Sequence, residues 1–472
     1  MSELARFYLG AYRTLSNPPA TGQAHLPAHH CTTHVVSVGA SGSGKTGLTL
    51  VMVEEALRNG VPVLMIDVKG DLPNLLLRFP RLTADVLLPW GENASPSDTR
   101  SAEERAAALA EQHAHGLMQW DITEAQVQAY VACSDLRVIT PGSTAGELLH
   151  VLSSLERRGA RWDTDPESAR AALSAAVSLV LRLLGRDPDP AKSREHVLLS
   201  VLAERRLMAG ESAELGALLA DLARPPVERI GALTLDEFLP KAERKALAAA
   251  LNTLLASPTF ASWRQGATLD VAEWLTPREG RTQGVIVSVA HLDDDERALV
   301  LGVILEEVLS WVRTLPGSQR LRALVVFDEV YGFMPPHPQN PPTKRPLVAL
   351  MKQARAFGVG VLVSTQNPMD LDYRALGNAG LWLVGRLQTD ADRARVIDGL
   401  SDLGGPDGGL SQAELAKVVK MLAQRWFLMR DVHSGVGTML LQPRWAISVM
   451  RGPMTRREIQ RAREAGRGEA SA

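Results

Sequence analysis

Residues Gly39, Ala40, Ser41, Gly42, Ser43, Gly44, Lys45 and Thr46, with Gly47 behind them, satisfy the spacing G-x-x-x-x-G-K-[ST] in full. Each residue type has a physical task. Glycines let backbone N–H groups turn inward and form a concave cradle for an anion. A helix opening at this point aims the positive end of its dipole at the same anion. Lys45 is the point charge for the β- and γ-phosphates, and the Thr46 hydroxyl is a ligand for Mg²⁺. The expected cofactors are ATP and Mg²⁺. The plainer alternative is a glycine-rich turn with a chance lysine; against it, the motif follows an apolar strand pattern and opens a helical one.

Further polar residues stand at the ends of apolar runs. Leu324, Val325, Val326 and Phe327 deliver Asp328 and Glu329 to the point where ligands bind in an open parallel sheet. Asp328 is expected to hold Mg²⁺ through water, and Glu329 to polarise the water that attacks the γ-phosphate. The plainer reading of Glu329 is a cap on the following turn. Gln366 ends the next apolar run; it senses the γ-phosphate, orients the water, or is simply a solvated strand-end glutamine. Arg355 precedes that run. Supplied across a subunit boundary, its guanidinium would neutralise charge on the transferring phosphate. By spacing alone, a surface arginine on an amphipathic helix is the plainer reading. Arg386, at the end of another run, is a second candidate with the same two readings. Asp67 and Lys69 end the strand pattern after the glycine-rich motif, near the phosphates or in a structural role. The histidines show no ligand spacing such as HExxH, and the 9 Trp residues are scattered, which reads as core and not as a base-stacking platform.

These residues need a frame. Apolar runs at 34–38 and 61–66 flank a helical pattern carrying Leu48, Val51, Met52 and Ala56, which Gly60 stops. Strand, helix, strand with continuous apolar strands predicts a parallel sheet covered on both faces. The alternation resumes with strands at 284–290, 321–327, 359–365 and 381–387 and helices at 294–312, 347–357 and 390–400. Between the two parts, 100–132 and 165–260 are rich in Ala, Leu, Glu and Arg with helical period, broken by one strand at 136–140. The expected fold is α/β, a RecA-like P-loop NTPase core with a mainly parallel sheet and a large, mostly helical insertion. The expected division is a lead-in at 1–34, a core at 35–84 and 284–445, an insertion (or separate helical domain) at 85–283, and a charged C-terminal tail at 446–472 that frays at its end. A proline-rich loop at 335–346 carries Lys344 and Arg345, which either line a pore and touch phosphates or belong to a rigid surface loop. A Gly-rich break at 404–409 precedes a helix and two strands at 426–432 and 437–442.

The 472 residues are 45% hydrophobic and 22% charged, the balance of a globular protein and not of a disordered chain. A net charge of −2 excludes a global basic field. Any nucleic-acid contact has to come from a local patch or from a pore lined by several subunits. Cys31 and Cys133 sit in no CxxC or Cys/His cluster, which argues against zinc and fits a reducing compartment. The first residues lack the apolar run and cleavage site of a secretory signal, and the most apolar helical stretch is too short for a bilayer. The expected location is cytoplasmic, with no integral membrane segment.

The ordered set of the P-loop, the strand end from Asp67 to Asp71, Phe327-Asp328-Glu329, the Gln-Ala-Arg-Ala-Phe-Gly around Arg355, and the Ser-Thr-Gln-Asn-Pro around Gln366 resembles the FtsK–HerA superfamily of ring-forming P-loop ATPases, its HerA-like branch in particular. The resemblance covers 34–84 and about 284–445. That family places an arginine finger before the fourth core strand and a glutamine at its end, the positions of Arg355 and Gln366. The resemblance implies an ATP-hydrolysing homo-hexamer that threads double-stranded DNA through its pore, a helicase-like translocase often accompanied by a nuclease. Two features depart from it. Archaeal HerA proteins carry an N-terminal β-barrel that 34 residues cannot form, and the long helical insertion has no counterpart in the minimal core. The superfamily also includes ATPases of type IV secretion and conjugation. A different class of reading is a nucleotide switch with low turnover, against which Glu329 speaks.

Overall fold

The strands that must carry the site are largely apolar, and they form the centre of the molecule. The computed structural model describes residues 5–15, 20–90, 99–156, 158–159, 161–367, 371–372, 377, 379–402, 412–434 and 437–469. In chain order the strands of its main sheet are β1 (Arg6–Thr14), β2 (Thr21–Pro27), β3 (Val35–Val38), β4 (Val63–Asp67), β5 (Ser134–Ile139), β6 (Thr282–Ser288), β7 (Ala323–Asp328), β8 (Val359–Thr365), β9 (Leu381–Val384), β10 (Phe427–Asp431) and β11 (Thr438–Pro443). They make one 11-stranded sheet in the order β2-β1-β11-β10-β9-β3-β8-β7-β4-β6-β5. From β9 to β5 every neighbouring pair is parallel. From β9 outward to β2 every pair is antiparallel. In β3, β4, β6, β7, β8 and β9 every position is buried, as strands covered on both faces require.

Two hydrophobic layers sandwich the sheet. On one side Leu48, Val51 and Met52 of helix Lys45–Arg58 pack with Tyr130, Phe7, Ile447 and Ile459. On the other, Ile304 and Val308 of helix Asp294–Thr314 pack with Leu173 and Val177 of helix Pro166–Leu183. The architecture is thus α/β with a mainly parallel sheet and a large, mostly helical insertion, as the sequence pattern predicts.

Several segments do more than that pattern suggests. The first 34 residues, expected only as a lead-in, contribute β1 and β2, an antiparallel pair that extends the sheet at one edge. The strand inside the helical stretch, Ser134–Ile139, pairs in parallel with Thr282–Ser288 and forms the opposite edge. The C-terminal stretch, expected as a fraying charged tail, holds helix Arg456–Glu469, and its Ile459 and Ala462 are buried. Lys344 and Arg345 begin helix Lys344–Gln353 and so leave the proline-rich loop. Lys344 is paired with Asp372 at 3.1 Å and largely buried, which removes it as a free phosphate contact; Arg345 stays exposed. The Gly-rich break at 404–409 and Pro368 lie outside the described residues.

A buried ion network ties the added strands to the core. Arg444, just past β11, is 0% exposed at its side chain and reaches Glu54 at 2.9 Å and Glu55 at 3.1 Å, both on helix Lys45–Arg58. Its Nε also donates to the Tyr8 carbonyl of β1 at 3.1 Å. Glu54 further accepts the Ile447 and Ser448 N–H groups at 3.0 and 2.9 Å. Removing the cation leaves two buried carboxylates without it. Arg444→Met is therefore expected to lower the unfolding free energy by about 3–5 kcal/mol, measured from the shift of the urea midpoint at constant slope.

Candidate functional site

Strand order places the chemistry. β8 lies between β3 and β7, so the chain segments leaving the C-terminal ends of these strands meet at one edge of the sheet. β3 runs into the glycine-rich loop. Gly42 and Gly44 have φ of 75° and 102°, conformations that a side chain resists, and these let the loop curl back on itself. Helix Lys45–Arg58 starts directly after Gly44. The Lys45 ammonium lies inside the loop, donating to the carbonyls of Gly39 and of Ala40, the latter at 3.1 Å. Burial lowers its pKa to about 8, with Glu329 pulling upward, Lys69 downward and Asp328 upward. A cation so desolvated and satisfied only by carbonyls suits an incoming anion.

The acids stand across from it. Asp328 ends β7, is 4% exposed, and accepts from the Ser364 hydroxyl of β8 at 2.5 Å. Burial raises its pKa, which the Ser364 bond partly offsets. Glu329 follows at φ 59°, a left-handed conformation uncommon outside glycine. Its N–H donates to Ser364 Oγ at 3.1 Å. Its carboxylate accepts the Gln366 N–H at 3.2 Å on one oxygen and the Lys69 ammonium at 2.6 Å on the other. Glu329 is thus aimed by the strand next door and is more than a turn cap. Asp67, at the end of β4, is fully buried and accepts from Gly70, Asp71 and Ser288 at 2.9, 3.1 and 2.7 Å. Burial raises its pKa to about 6. Asp67 therefore holds the turn that carries Lys69, while Lys69 itself reaches the acid pair.

Lys45, Thr46, Lys69, Asp71, Asp328, Glu329 and Gln366 line one cleft of about 550 Å³ together with residues 40–42, 44 and 47–48 of the loop and helix start. Gly39 sits at the base of the loop, where a Cβ would come within 2.7 Å of Ser43 Oγ. Among the described residues no group of three or more His, Cys, Asp or Glu side chains is placed to hold a metal. The donor set here is one buried carboxylate and one hydroxyl, which suits Mg²⁺ completing its shell with water and phosphate oxygens.

The two arginines separate. Arg386 is exposed beside the loop, and its carbonyl accepts the Ala40 N–H at 2.7 Å. Arg355 is exposed on the short helical turn Ala354–Phe357, before β8. It lines a small pocket with Thr33, His34, Lys352 and His433. The 7 residues of β8 alone span about 23 Å at ~3.3 Å each, so Arg355 lies at the far end of the sheet from Gln366 and its own cleft.

The cleft continues beyond the phosphate loop, where the spacing of residues carried no signal. Trp445, one of the tryptophans read as core, is half-buried there with Leu109, Gln112, His113, Gln424 and Arg425. Arg425 touches the loop through its N–H, which donates to the Ser43 carbonyl at 3.0 Å.

Residues 13–78 match the family model for the helicase HerA-like C-terminal domain. No curated protein matches the chain. Among solved structures, VirB4 of Thermoanaerobacter pseudethanolicus is similar with a TM-score of 0.52 and 12% identity, over 94% of this chain and 97% of that one. Plasmid coupling protein TrwB in complex with the non-hydrolysable ATP analogue ADPNP is similar with a TM-score of 0.48 and 13% identity, over 95% of this chain and 96% of that one. The core has a RecA-like P-loop NTPase fold, and the resemblance to HerA-like proteins is supported over residues 13–78.

Proposed function

We propose that the chain is an ATP-hydrolysing, ring-forming motor that translocates or remodels double-stranded DNA. One arrangement carries this reading: Lys45, Asp328, Glu329 and Gln366 share a cleft at one end of the sheet, while Arg355 stands exposed at the other. In this reading residues 39–47 hold the triphosphate and Lys45 neutralises its β- and γ-oxygens. Mg²⁺, held by Thr46 and through water by Asp328, would spread the remaining charge. Glu329 takes the proton of the attacking water, and Gln366, whose backbone positions Glu329, lines the path to it. Arg355 is too far from its own cleft to help there. It serves the next subunit, which makes a closed ring, a homo-hexamer, the working form. Residues 35–84 and 284–445 are then the motor core, 85–283 the insertion and 446–472 an appended C-terminal segment. The protein works in the cytoplasm, with a nuclease as the natural partner of a DNA-threading ring. Among the described residues no helix is long and apolar enough to cross a membrane.

The deciding measurement is steady-state ATP turnover with and without linear duplex DNA. DNA is expected to raise turnover at low salt. Raising salt from about 50 to 200 mM should remove most of the stimulation, because phosphate contacts are lost with counterion binding. Turnover indifferent to DNA at low salt would overturn the DNA part and favour a secretion or conjugation-type ATPase. Absence of multiple turnovers would favour the switch.

A further inference from the structure

Arg425 is a cation in the cleft for which phosphate chemistry at the loop leaves no task. It sits at φ 61° in the turn between helix Gln412–Met421 and β10, and it leans over the rim of the phosphate loop. A Cβ on Gly44 would meet its Cγ at 3.1 Å. Its guanidinium lies 4.5 Å from the centroid of the Trp445 ring. Among the described residues this guanidinium has no hydrogen-bond or ion-pair partner, and burial, with no carboxylate to offset it, lowers its pKa.

Trp445 is itself held rigidly. Its indole N–H donates to His113 Nδ1 at 3.2 Å. His113 is fixed in turn by the Ile447 carbonyl at 2.9 Å. Gly116 of helix Ala102–Met118 lies against the ring so closely that a Cβ there would be 2.7 Å from it. The indole is thus fixed by the Gly116 backbone and His113, and the Arg425 guanidinium lies over it. Both side chains line the cleft. The same cleft is lined by Leu109, Pro443 and Met450 and by Gln112 and Gln424. The acids of the cleft, Asp71, Asp328 and Glu329, belong to the strand-end side, where Lys69 pairs with Glu329.

Building on the nucleotide reading above, we propose that Arg425, backed by Trp445, is the platform on which the nucleoside base of the bound triphosphate stacks. Three features favour a base over a further phosphate. The phosphate end already has backbone amides and Lys45. A planar guanidinium fixed on an indole offers a flat face to a heteroaromatic ring. Apolar side chains and two amides in one lining suit a ring with polar edges, and since each amide both donates and accepts, the platform takes a nucleobase without choosing sharply among them.

The test compares Mg-ATP with Mg-tripolyphosphate, which has the phosphates and no base, by calorimetry on the full chain. Wild type is expected to prefer ATP. Arg425→Ala and Trp445→Ala are expected to weaken ATP by about 5- to 150-fold, the range that base stacking supplies, with tripolyphosphate unchanged within about 2-fold. Arg425→Lys, which keeps the charge and loses the flat face, should behave as Arg425→Ala; this variant carries the test if Trp445→Ala fails to fold. Equal loss of both ligands in the arginine variants would make Arg425 a phosphate ligand and overturn the platform, as would full ATP affinity in Arg425→Lys. Wild type that binds tripolyphosphate and ATP equally overturns the platform alone. Wild type that binds neither overturns the phosphate site and the platform together.

Discussion

A Glu329→Gln protein should turn over ATP about 10²–10⁴-fold more slowly than wild type and still bind it as tightly, the range expected for losing a general base. The geometry explains why binding survives. Glu329 accepts one N–H from Gln366 and one from Lys69. An amide oxygen keeps the first bond, and the loop amides and Lys45 that hold phosphate are untouched. What disappears is the group that can take a proton from water. Stopped-time hydrolysis beside equilibrium binding of ATP separates the two effects. A turnover changed by less than about 3-fold would remove Glu329 from the chemistry, and a parallel loss of binding would make it structural.

Arg355→Ala should be nearly as inert, with turnover lowered by about 10³–10⁵-fold if its guanidinium neutralises the transferring phosphate. The informative experiment is a mixture. Lys45→Ala subunits cannot bind ATP productively and have intact Arg355; Arg355→Ala subunits have the reverse. Under the proposed function each homogeneous preparation is expected to be dead, and in mixed rings an Arg355→Ala cleft facing a Lys45→Ala neighbour is expected to regain its missing cation. Turnover should therefore rise and pass through a maximum as the ratio is varied. No recovery at any ratio would exclude action across the subunit boundary, and Arg386, exposed beside the loop, would take its place as the candidate.

The parts of the site that could be read from residue order are those in which one short segment contains its own context. Residues 39–46 follow a strand and open a helix within a few positions, so the motif and its geometry are legible together. Asp328 and Glu329 sit at the end of an apolar strand, and Gln366 at the end of another; the rule that parallel strands present their C-terminal ends to ligands brings all three to one edge. The contacts that organise them were not legible. The Lys69 bridge to Glu329 and the role of Ser364, which binds both Asp328 and the Glu329 N–H, depend on which strands become neighbours. Trp445 and Arg425 gave no periodic or motif signal, since each is a single residue in an irregular segment, brought together only when β10 and β11 pair. The first 34 residues looked featureless because β2, Thr21–Pro27, forms the sheet's outer edge and is largely exposed. The strand Ser134–Ile139 was visible as a strand; its pairing with Thr282–Ser288, far along the chain, was not.

The strand Val359–Thr365 is hydrogen-bonded along both sides, to Ala323–Asp328 and to Val35–Val38. A ribbon clamped in this way neither stretches nor slides without breaking two ladders at once. The strand therefore keeps its two tips, the one that follows Arg355 and the one that precedes Gln366, at a fixed separation, like the two ends of a tappet. In the proposed ring, a cleft that loses its γ-phosphate would then move its sheet as one body, and with it the Arg355 that would serve the next chamber.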